Sequence, residues 1–110
     1  MKNFQELANG RWFTFSLAEQ LGNIGSEVGS AIHWKNKGDT KSMWSALERG
    51  LELFDLTIAD PRRTKSQLKE ICRAREVVCD YLVGDNEYRS DDNFLNDYFM
   101  QFAMEARKNR

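Results

Sequence analysis

Apolar residues recur along this chain at three- and four-residue steps, the period of a helix with one buried face. Leu17, Leu21, Ile24, Val28 and Ile32 are spaced 4, 3, 4 and 4, and Met43, Leu47, Leu51, Phe54 and Ile58 are spaced 4, 4, 3 and 4. A third series takes in Leu68, Ile71, Cys72, Cys79 and Leu82, and a fourth Phe94, Tyr98, Phe102 and Ala106. No window alternates with period two for long enough to pair as strands. The expected fold class is therefore all-α, an antiparallel four-helix bundle in one domain over residues 1–110, with the first ten residues adding a short helix or an arm.

Turn chemistry sets the boundaries. The first helix is expected from Trp12 or Thr14 to Lys37, stopped by Gly38 as a left-handed cap behind Lys35 and Lys37. Asp39 or Thr40 opens the second, and Asp60-Pro61 closes it, because a residue before proline avoids helical geometry. Thr64-Lys-Ser-Gln67 has the pattern of a capping box for the third, which runs to Gly84. Ser90-Asp91-Asp92 offers three N-cap residues for the fourth, whose basic tail Arg107-Lys108-Asn109-Arg110 suits the negative end of a helix dipole.

The run Leu21-Gly-Asn-Ile-Gly-Ser-Glu-Val-Gly29 sets three glycines inside the first helix. Each costs about 1 kcal/mol relative to alanine, so something must offset them. At about 100° per residue Gly22, Gly25 and Gly29 share the flank of the apolar seam, a smooth surface for close approach of another helix. Gly50, in the middle of the second helix's face, is a candidate match, and the neighbour belongs either to this chain or to a second subunit. A phosphate cradle is disfavoured, since Gly-x-x-Gly-x-x-x-Gly is neither a Walker loop nor a dinucleotide turn.

Charge narrows the chemistry. A formal net charge of -1 gives no global attraction to nucleic acid, which leaves only a local patch at Arg62, Arg63, Lys65 and Lys69. Arg75 falls within the apolar series of the third helix, where a guanidinium needs a carboxylate. Glu19, Glu27, Asp55 and Glu87 are the candidates, making either a register-fixing buried ion pair or an anion pocket. Glu48, Glu52 and Asp55, with Glu76 and Asp80, place carboxylates at helical spacing. The first three are similar to the acidic helices with which all-α nucleotide pyrophosphohydrolases hold Mg²⁺. They lack that family's leading Glu-Glu-x-x-Glu and its Glu-x-x-Asp partner, and they fall toward the solvent edge.

With His33 the single histidine, neither a zinc site, a di-iron pair nor the Arg-spacer-His of HEPN-class ribonucleases is expected. Cys72 and Cys79, about 10 Å apart along one helix, are too distant for a mutual disulfide and read as reduced core thiols. The start MKNFQELANG has no uninterrupted apolar run, so neither a signal peptide nor a membrane span is expected, and the location is expected to be cytoplasmic.

Through NGRWFTFSLAEQLGNIGSEVG, ALERGLELFDLTIADPR, REVVCDYLVGDNEY and YFMQFAMEAR, the chain resembles a small family of prokaryotic helical-bundle proteins with no assigned activity. The resemblance covers nearly the whole chain and implies no catalytic residue. The expected function is a non-enzymatic interaction module without cofactor. It would act as a homo-oligomer or with a protein partner, through the glycine flank or through Met100 and Met104. The alternatives are a nucleic-acid-binding accessory protein and, more weakly, a Mg-dependent hydrolase using Glu48, Glu52, Glu76 and Asp80.

Overall fold

The computed structural model of the chain describes residues 10–108. A short 3-10 turn, Trp12–Thr14, leads into four α-helices: α1 Leu17–Asn36, α2 Thr40–Ala59, α3 Lys65–Val83 and α4 Asp92–Lys108. They form an antiparallel four-helix bundle, with no strand among the described residues. Nor is any helix among them long and apolar enough to cross a membrane. The extra N-terminal helix or arm expected of the first ten residues falls on 1–9, outside the described residues, and of those ten only Gly10 is described.

The helix starts follow from side chains that satisfy otherwise orphaned backbone donors. Ser16 and Glu19 form a capping box: Glu19 N donates to Ser16 Oγ at 3.1 Å and Ser16 N to Glu19 Oε1 at 2.9 Å. This fixes the start of α1 at Leu17, later than Trp12 or Thr14, and leaves the intervening aromatic residues free to fold over the bundle end. Asp39 Oδ1 accepts from Ser42 N at 3.0 Å to open α2, Thr64 and Gln67 cap α3 reciprocally, and Asp91 Oδ1 accepts from Phe94 N at 2.8 Å to open α4. Gly38, at φ 76°, makes the left-handed turn between α1 and α2 that a side chain would strain.

Helix α1 is the spine, packed closely against both α2 and α4. It buries Leu21, Ile24, Val28, Ala31 and Ile32 against Met43, Ala46, Leu47, Leu53 and Phe54 of α2. Helix α3 contributes Ile71, Ala74, Val78 and Leu82, and α4 contributes Leu95 and Phe99. Two faces are thus rotated from the sequence expectation. On α3, Ala74 and Val78 belong to the seam, while Cys72 is exposed and Cys79 half-buried, so these two are not both core thiols. On α4 the buried pair lies one position past Phe94 and Tyr98, which leaves Phe94 57% exposed.

The neighbour of the glycine flank is the chain's own α4. A Cβ at Gly22 would lie 3.1 Å from Ala103 Cα, and one at Gly25 only 2.5 Å from Phe99 Cβ, so both glycines permit the helices to touch backbone to side-chain root. Gly29 is different, with Asn96 Oδ1 3.9 Å from the same position. Gly50 faces Glu27 of α1 at an ordinary 3.5 Å and takes no part in the α1/α4 contact. These distances predict opposite outcomes for one chemical change. Gly25→Ala overpacks the seam and lowers stability by about 1–3 kcal/mol, whereas Gly29→Ala gains helix propensity and raises it by about 0.5–1 kcal/mol. Urea unfolding of the two variants checks the difference.

Candidate functional site

The expected basic patch begins where α2 ends, and there the structure builds a buried polar hub. The side chain of Asp60 is fully enclosed and accepts from Arg62 N at 3.0 Å, Arg62 Nη2 at 2.6 Å and Gln20 Nε2 at 3.0 Å. Arg63 Nη2 lies 3.7 Å away, with the Arg63 side chain only 5% exposed. Gln20 Nε2 also donates to Trp12 O at 3.0 Å, and Trp12 Nε1 donates to Thr57 Oγ1 at 2.9 Å. Arg62 reaches further, donating through Nη2 to Phe15 O. Arg62 and Arg63 are therefore turned onto Asp60 and do not stand with Lys65 and Lys69 as one cationic surface. The two lysines remain exposed on α3, beside an open recess of about 670 Å³ floored by Leu68 and Cys72.

Arg75 does not enter the core. Its Nε bonds Asp55 Oδ1 at 3.1 Å across α3 and α2, with the two side chains 35% and 62% exposed, so this is a surface bridge and not a buried pair or anion pocket. Asp55 is one of its four expected partners; of the others, Glu19 caps α1 and buried Glu27 takes Arg49 Nε at 3.2 Å. Arg49 is the residue that sequence reasoning missed. The signal was available in Glu27, which lies three residues after Ile24 and four before Ala31, in the middle of the α1 seam, and so requires a cation from α2.

The carboxylates proposed for metal chemistry have structural roles or face solvent. Glu48 and Glu52 are exposed on α2. Glu76 Oε2 accepts from Tyr88 Oη at 3.0 Å, and Asp80 accepts from Glu87 N at 2.8 Å and Tyr88 N at 3.0 Å, holding the α3–α4 loop. Among the described residues, no three His, Cys, Asp or Glu side chains converge as metal ligands. His33 is exposed, edge-on to Trp34 with ring centroids 4.9 Å apart.

Where α1 ends and α4 begins, Asp92 accepts from Tyr81 Oη and from Asn36 Nδ2, and Lys35 Nζ sits 4.1 Å above the Tyr81 ring. The bond to Asp92, then burial, pushes the Tyr81 hydroxyl up to about 12. Burial, then the nearby Glu70 carboxylate, raises Tyr98 still further. Both tyrosines thus stay protonated as joints between α3 and α4.

Between α1 and α4 the surface is recessed in two places, one mainly apolar and one of mixed polarity. A recess of about 240 Å³ lies over Gly25 and Gly29, rimmed by Met100 and Ala103. A second, of about 420 Å³, continues it past Gly22 and Ala103 to Glu19 and Arg107. Because Gly22 and Ala103 line both, the two form one groove. Met100 and Met104 stand beside it on α4, 50% and 61% exposed. No protein-family model matches the chain, and neither does any curated protein or solved structure. The site is therefore read from its own geometry.

The hub also fixes a response to acid. Hydrogen bonds from Arg62 outweigh burial and hold the Asp60 carboxyl far below the usual carboxylate range. A depressed folded-state value stabilises the fold above the unfolded value, about 4, and that stability drains away as pH falls from there through the folded value. Asp60→Asn removes the carboxylate from between two guanidinium groups and costs about 3–5 kcal/mol at neutral pH, lowering the melting temperature by more than about 10 °C. The variant also flattens the loss of stability below about pH 4, which thermal melts across pH measure.

Proposed function

We propose that this chain is a non-enzymatic protein-interaction module that presents the α1/α4 face to a protein partner. The observation that carries the reading is the groove over Gly22, Gly25 and Gly29, rimmed by Met100, with Met104 exposed one turn further along α4. Methionine is flexible and polarisable and adapts to an irregular partner surface, and a clustered apolar patch on a folded domain has an unmet contact. The charged residues support the same reading by their engagement elsewhere. Arg63 is buried against Asp60 and the charge of Arg62 is paired with the same carboxylate, which weakens the four-cation patch that the nucleic-acid reading needs. Glu76 and Asp80 hold a loop, which removes two of the four carboxylates that the hydrolase reading needs. A cytoplasmic setting, in which Cys72 and Cys79 stay reduced, accords with this role.

The test is capture by immobilised protein, followed by rebinding of each captured protein in purified form, a second copy of this chain included. Met100→Lys combined with Met104→Lys is expected to abolish capture while changing stability by no more than about 0.5 kcal/mol per site, as for other exposed positions. Equal binding of the same purified partner by the wild type and the double variant would overturn the proposal.

A further inference from the structure

The outward line of α4 runs Asn93, Asp97, Met100, Met104 and Arg107, spaced 4, 3, 4 and 3, and each of these residues is exposed. That spacing is the seam of a helix that meets another helix lengthwise. It lies on the side of α4 away from Leu95 and Phe99, and none of the described residues covers it. The line also has polarity: it is acidic at Asp97, apolar in its two central methionines and basic at Arg107. Asp97 and Arg107 sit about 15 Å apart along one helix and so cannot reach each other within the chain. Among the described residues neither enters an ion pair.

We propose, resting on the reading of the α1/α4 face as an interaction surface, that its occupant is a second copy of this chain, with the two α4 helices antiparallel about a two-fold axis. Reversal sets Asp97 against the partner's Arg107 and Met100 against the partner's Met104, and symmetry makes each pairing twice. A parallel arrangement would stack acid on acid and base on base. The same register carries the partner's Met104 over the recess beside Met100, above Gly25 and Gly29. Gly29 then gains a reason that the single chain does not supply. It weakens α1 relative to alanine and has no close contact with α4, but it deepens the recess that receives the partner's side chain.

Charge reversal tests the register. By light scattering after size exclusion, up to roughly 500 µM because the seam is short, the wild type is expected to associate as a dimer. Asp97→Arg and Arg107→Asp each place like charges together at both symmetric contacts and are expected to weaken self-association by about tenfold or more. An equimolar mixture of the two variants pairs a wholly basic line with a wholly acidic one, and association is expected to return as a one-to-one heterodimer. Circular dichroism melts of the separate variants verify that both are folded. A wild type that remains monomeric, or a mixture no more associated than its components, would overturn the proposal. A monomer that still binds another protein through Met100 and Met104 overturns self-pairing alone, and a monomer that binds nothing overturns the interaction reading with it.

Discussion

Asp60 is a carboxylate shut off from water at the point where α2 stops, and the arrangement of the bundle depends on how it is compensated. Such a group is tolerated only with close partners, and here they come from two segments: Gln20 on α1, and Arg62 and Arg63 on the α2–α3 connection. Through Gln20 and Thr57 the same network reaches Trp12, which plugs the bundle end as a fully buried indole. A single residue thereby sets where α2 ends, how the chain turns toward α3, and how the aromatic segment before α1 folds back. Pro61 contributes the stiffness, since its ring fixes the backbone next to the carboxylate.

With the start of α1 and the end of α2 tied together, α1 is held as the axis against which α4 docks. Gly22 and Gly25 bring α4 in until Ala103 and Phe99 touch the α1 surface. The closeness has a consequence for the outer face. Where side chains on both helices are small, at Gly22, Gly29 and Ala103, the seam does not fill outward, and a groove is left alongside a helix whose far side carries Met100 and Met104. Close packing inside and the apolar recess outside thus have the same origin.

The helices, their order and their antiparallel sense were legible in the sequence because periodicity, Gly38, Asp60-Pro61 and the Thr64 box all pointed to one answer. The capping box at Ser16 and Glu19 was equally legible in form, yet the aromatic run from Trp12 to Phe15 drew the helix start backward. Arg75 was misplaced because Leu68, Cys72 and Cys79 biased the face of α3 toward it, when the seam passes through Ala74 and Val78 and leaves Arg75 at the margin. Side-chain pairing across helices was the least legible feature. Arg62, Arg63 and Arg49 all look like free surface cations in the sequence, and only the three-dimensional positions of Asp60 and Glu27 show that each pairs with a buried carboxylate, Arg63 from inside the bundle and Arg62 and Arg49 from its surface.

That pairing explains why the sequence's charge blocks are poor guides to function here. Polar residues that look available are bound into local structure: Asp39, Asp91, Ser16 and Thr64 as caps, Asp80 and Asn86 as loop braces, and Asp92 as the acceptor between α1 and α3. Each holds a backbone or side-chain donor that would otherwise lose its partner on folding. Asp97 and Arg107, like Glu48, Glu52, Lys65 and Lys69, enter no such hydrogen bond among the described residues, and what distinguishes them is their position. They sit on either side of Met100 and Met104 along one exposed stripe of α4. In a fold where charged side chains close turns and cross helix pairs, two opposite charges set one helical stripe apart, with methionines between them, form a surface that is complementary to its own reverse.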